Sequence, residues 1–180
     1  MGEFIWRPGI GDPTVGGWIT VVLYFVAVWS CWLTSREVWQ RKEVALWQAV
    51  TLMFVFLGIN KQLDLQTALT EIARIIAFKQ GWYEQRQIAQ IWFIVAVALS
   101  CLTIAISLVW LASETPFATW VALLGTVVVL AFVLIRAASF HHIDRFIGET
   151  ILGLKWNWVL EMSGISIVIG ASKCRRSTVS

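Results

Sequence analysis

Four long stretches of this 180-residue chain, residues 16–34, 44–60, 87–113 and 115–135, contain no Lys, Arg, Asp or Glu. A water-soluble fold cannot withhold charge in this way, because its helices and strands each need a solvated face. At ~1.5 Å rise per helical residue, residues 16–34 cover roughly 28 Å, close to the ~30 Å of bilayer hydrocarbon. Only 14% of the residues are charged, against about 25% in soluble domains, and the mean hydropathy is +0.74. The pattern excludes a soluble globule and a disordered chain and predicts an all-α, polytopic membrane helix bundle.

The joining segments organise that bundle as a single membrane domain. Asp12-Pro13-Thr14 reads as a helix start, with the Asp12 carboxylate capping and Pro13 in the first turn. Spans are expected at about 15–34, 44–60, 87–112, 117–138 and 156–172. The last is apolar apart from Glu161 and covers only about 25 Å; without it the count falls to four. Arg36, Glu37, Arg41, Lys42 and Glu43 read as a polar turn, and Ser113-Glu114-Thr115-Pro116 as a tight one closing an antiparallel hairpin. Between spans two and three, Leu65, Leu69, Ile72 and Ile76 recur at helical spacing among charges, predicting an amphipathic surface helix at about 63–79. The opening residues lack the basic start of a cleavable leader, so the first span is expected to persist.

With five spans, eight basic residues (Arg7, Lys61, Arg74, Lys79, Arg86, Arg136, Arg145, Lys155) face six (Arg36, Arg41, Lys42, Lys173, Arg175, Arg176) across the membrane, so positive-inside counting does not orient the chain. The basic residues form no stripe, which gives nucleic-acid binding no support. Three cysteines, one of them in mid-span, argue against a disulfide framework.

Two crossings separate the segment after span two from the segment after span four, so both lie on one membrane face. Asn60, Lys61, Asp64, Arg136, His141, His142, Asp144 and Glu161 can therefore meet in one layer, which should hold almost all the shallow-buried ionisable groups. Charge near hydrocarbon is costly and normally pairs or faces the bundle interior. Asn60, Lys61, Asp64, Arg136 and Glu161 are accordingly expected to form a polar network, either tying helix ends together or building a substrate, ion or proton site. His141, His142 and Asp144 have a spacing that could ligate a metal such as zinc, with Asp64 or Glu161 as the catalytic base. No H-E-x-x-H or C-x-x-C strengthens that assignment. Haem or chlorophyll has less support, because the only two imidazoles are adjacent on one segment. Most tryptophans, Trp47 among them, fall near segment ends, where the headgroup layer attracts them. Gly58, Gly125, Gly164 and Gly170 permit close helix approach, although without G-x-x-x-G no dimer seam is predicted.

The words Ile10-Gly11-Asp12-Pro13-Thr14, Gly58-Ile59-Asn60-Lys61-Gln62-Leu63-Asp64-Leu65-Gln66-Thr67, Gly81-Trp82-Tyr83-Glu84 and Arg136-Ala137-Ala138-Ser139-Phe140-His141-His142-Ile143-Asp144 resemble those of small multi-span bacterial inner-membrane proteins of uncharacterised function. The resemblance implies a bacterial inner membrane and brings no activity with it. Three functions compete. The first is a non-enzymatic accessory or scaffold subunit, packing against lipid and another membrane protein or a second copy. The second is a membrane-embedded metal-dependent hydrolase or lipid-modifying enzyme. The third is a small transporter or channel subunit.

Overall fold

The computed structural model describes residues 14–63, 86–138, 150–151 and 154–179. Five helices carry the fold: α1 (Val15–Glu37), α2 (Arg41–Leu63), α3 (Arg86–Ala112), α4 (Phe117–Ala138) and α5 (Trp156–Ser177). A two-rung antiparallel ladder, β1 (Thr150–Ile151) against β2 (Leu154–Lys155), leads into α5. The surface helix expected at 63–79 lies outside the described residues beyond Leu63, the last residue of α2.

The cap of α1 is Thr14, whose Oγ1 accepts a hydrogen bond from the Gly17 amide at 3.1 Å. Asp12, the expected cap, is outside the described residues. The polar turn is shorter than expected. Arg36 and Glu37 finish α1, only Val38, Trp39 and Gln40 connect, and Arg41, Lys42 and Glu43 are already helical. A carboxylate in the first turn of α2 also suits the positive end of the helix dipole.

Four helical segments are long and apolar enough to cross a membrane: Val15–Glu37, Arg41–Leu63, Ile91–Ala112 and Phe117–Arg136. The last helix, α5, has more charge, yet its 22 residues extend roughly 33 Å. Lys61, near the end of α2, meets Glu161, near the start of α5. Glu43, at the start of α2, meets Arg175, near the end of α5. Thus α5 lies antiparallel to α2 and runs the height of the bundle, past the expected limit at residue 172.

The core gathers Tyr24, Ala27 and Cys31 of α1, Leu46, Trp47, Val50 and Phe54 of α2, Ala122 and Val129 of α4, and Ile165 and Val168 of α5. Tyr24 and Phe54 meet edge to face, with centroids 5.7 Å apart. Trp47 corrects the expectation of an interfacial ring: it is fully buried, and its indole N–H reaches Glu43 Oε1 at 3.4 Å, which satisfies the polar atom that would otherwise favour the headgroups. Cys31, Cys101 and Cys174 are all unbridged.

Helices α4 and α5 touch at Gly125 and Gly164. A Cβ on Gly125 would sit 2.7 Å from the Gly164 carbonyl oxygen, and one on Gly164 would sit 2.7 Å from Val129 Cγ2 and 2.9 Å from the Gly125 oxygen. Backbones this close drive van der Waals association in lipid, where no hydrophobic effect separates helix from tail. Gly170, by contrast, faces open space. Gly164→Ala should cost about 1–3 kcal/mol by overpacking, whereas Gly170→Ala should be neutral or stabilising by up to about 1 kcal/mol. Thermal unfolding of both variants in detergent checks this, and equal melting temperatures would refute the seam.

Candidate functional site

Helix geometry places the expected polar residues. The last turn of α2 carries Asn60 and Lys61, the end of α4 carries Arg136, and Glu161 is one and a half turns into α5. Together with Tyr24, Leu57, Phe132 and Val133 they line a partly open cavity of about 40 Å³. A water needs about 10–15 Å³ on this measure, so the space suits a few waters.

The centre is a buried ion pair. Lys61 Nζ donates to Glu161 Oε2 at 2.8 Å, with the two side chains only 5% and 3% exposed. The Tyr24 hydroxyl donates to Glu161 Oε1 at 3.0 Å. Both carboxylate oxygens are therefore engaged, as a charge withdrawn from water requires. Nothing in the sequence pattern marked Tyr24 for this role beyond its being a phenol in a charge-free span.

Asn60, Lys61, Arg136 and Glu161 thus surround one cavity. Asp64, His141, His142 and Asp144 lie outside the described residues, and so does the expected metal centre. Among the described residues no three His, Cys, Asp or Glu side chains gather.

A second cluster at the opposite end corrects the expectation that nearly all shallow-buried charge shares the Lys61 face. Glu43 is 1% exposed. Arg175 forks onto it, Nε donating to Oε1 at 2.8 Å and Nη2 to Oε2 at 3.0 Å. Thr119 Oγ1 adds a hydrogen bond at 2.6 Å, so α2, α4 and α5 converge on one carboxylate. Hydrogen bonding to Glu43 raises the pKa of Arg175, which lies beyond the apolar part of α5, against a smaller opposing effect of burial. The signal available in the sequence was the phase of α2: Glu43 shares a face with Leu46, Trp47, Val50 and Phe54.

Hydroxyls join α1 to α5 beside this cluster. Ser30 and Ser172 share a hydrogen bond, and Thr34 Oγ1 lies 3.0 Å from the Ser30 carbonyl and 3.3 Å from that of Ser172. Arg176 Nη2 approaches Ser30 Oγ at 3.5 Å.

Comparison of the chain with protein-family models, curated proteins and solved structures finds no match.

Removing one partner of a buried pair leaves the other charged and unsatisfied, at a cost of about 3–5 kcal/mol, while replacing both with apolar groups is often neutral. Glu161→Ala should therefore lower stability by about that much, and a Lys61→Met, Glu161→Leu double variant should recover most of it. Denaturant titration in micelles measures both; a double variant as unstable as the single would show that the pair is not the unit.

Proposed function

We propose that this chain is a non-enzymatic accessory subunit of a membrane assembly, in a bacterial inner membrane, which holds a helix of another polypeptide against α3. The observation that carries this reading is the placement of α3. Of its most apolar 18-residue stretch 6% is buried, against 39–44% in the other three apolar spans. Leu108 and Ala112 seat it on the bundle, and most of the remaining circumference is open.

That open face is not uniformly oily. Ser100, Thr103 and Ser107 are exposed at spacings of three and four and share one side of the helix with Ala96. Each hydroxyl donates to the carbonyl four residues back at 2.8 Å, so none is an unsatisfied polar group in lipid. Small residues four apart let a second backbone approach closely, and a hydroxyl bonded to its own helix can still accept from a neighbour.

Leucine at positions 100, 103 and 107 should abolish association while leaving the bundle as stable as before, because those side chains are exposed and each hydroxyl bonds within its own helix. Photo-cross-linking in native membranes from a benzophenone amino acid placed at Ala96 in the parent and in the variant reads the contact. Full cross-linking in the triple-leucine variant, or none in the parent, would overturn the proposal.

A further inference from the structure

The full-height course of α5 has an electrostatic consequence. It brings Lys173, Arg175 and Arg176 to the end of the bundle that already holds Arg36, Arg41 and Lys42, with Glu37, Glu43 and Glu114 the carboxylates there. Six cations against three carboxylates leave an excess of three, matching the formal charge of +3 on the whole chain.

Two of the six are neutralised, Arg175 by Glu43 and Lys42 by Glu114 at 2.7 Å. Arg36, Arg41, Lys173 and Arg176 are in no ion pair among the described residues; the first three are exposed and Arg176 is half-buried. Arg176 also keeps a buried Nε without an acceptor.

Aromatic rings mark the depth of this end of the bundle. Trp39 in the α1–α2 turn is 90% exposed. Arg36 lies 5.4 Å over the Trp32 ring, which packs on Trp29 at 5.3 Å, and Lys42 lies 5.4 Å over Trp110. Indole rings concentrate at the membrane–water interface, and a cation stacked on such a ring is held at that level. Arg36, Arg41, Lys173 and Arg176 stand on three different helices, α1, α2 and α5, and none lines the cavity beside Glu161, which suits several separate phosphates better than one small anion.

We infer that this end of the bundle, with Arg36, Arg41, Lys173 and Arg176 among its tryptophans, is a docking face for the phosphate headgroups of anionic lipid. The proposal is independent of what α3 binds. A basic side chain near an anionic membrane surface contributes about fivefold in affinity, and Arg and Lys both take phosphate oxygens, Arg through its fork.

The test is native mass spectrometry of the detergent-purified chain titrated with phosphatidylglycerol or with phosphatidylcholine. The parent should retain phosphatidylglycerol preferentially. An Arg41→Gln, Lys173→Gln variant should lose about 25-fold in that affinity, at about fivefold per cation, with phosphatidylcholine retention unchanged. Neither residue touches the Glu43 or Glu161 pairs, so an unaltered melting temperature certifies the fold, and the α3 leucine variant should retain lipid as the parent does. Equal retention of the two lipids, an unaffected double variant, or displacement of phosphatidylglycerol by equimolar inorganic phosphate would each overturn the proposal.

Discussion

The Lys61–Glu161 pair is the contact on which the arrangement of this bundle rests, because it admits a charged helix to an apolar layer. Helix α5 carries Glu161, Lys173, Arg175 and Arg176 and is not among the segments apolar enough to cross a membrane alone. It runs the height of the bundle because α2 answers its charges at both ends. A buried ion pair contributes little net stability, since desolvation offsets most of the Coulomb attraction. What it contributes here is register. Glu161 and Arg175 are fourteen residues apart on α5, or ~21 Å, and Lys61 and Glu43 eighteen apart on α2, or ~27 Å. The side chains close the difference, and a slip of one turn, ~5.4 Å, would break both pairs together. The Gly125–Gly164 approach holds the middle of the same helix against α4.

The four charge-free stretches announced four of the helices, and Pro116 the turn between α3 and α4, because hydrocarbon thickness and the missing proline N–H leave little choice. Counting crossings also put Asn60, Lys61, Arg136 and Glu161 on one side of the membrane, and the structure brings all four around one cavity. Glu43 was not legible in the same way. It sits in a run of charges that reads as a turn, and moving the helix start by three residues changes it from a surface carboxylate to a buried one. Its partner Arg175 is 132 residues away, a pairing that local pattern cannot supply. Trp47 and Tyr24 were missed for a related cause: their depth depends on having a carboxylate within reach of the N–H or O–H, and in both cases that carboxylate comes from the network itself.

Charged and hydroxyl side chains follow different rules in this chain. Each buried carboxylate needs partners from other helices: Glu43 takes Arg175 and Thr119, and Glu161 takes Lys61 and Tyr24. Such groups can occur only where several helices meet, which makes them markers of the interior. Hydroxyls are less demanding. Thr20, Thr51 and Thr126 each donate to the carbonyl four residues back, as do Ser100, Thr103 and Ser107 on α3. A group satisfied within its own helix can occupy any face without penalty.

That difference explains how one sequence can specify a fixed interior and still leave an outer surface open to use. Exchanging any member of the two carboxylate clusters disturbs at least two helices at once, so their identities are constrained by the fold. The α3 hydroxyls carry no such constraint, because they are exposed and bonded within their own helix. Among the described residues nothing else accounts for their occurrence together on the apolar span with the smallest buried share. Helix α3 already has apolar surface enough to sit in lipid, and a stripe of small hydroxyl side chains reduces it. Under the proposed function the stripe is put to use: it leaves room for another backbone and offers that backbone a set of acceptors.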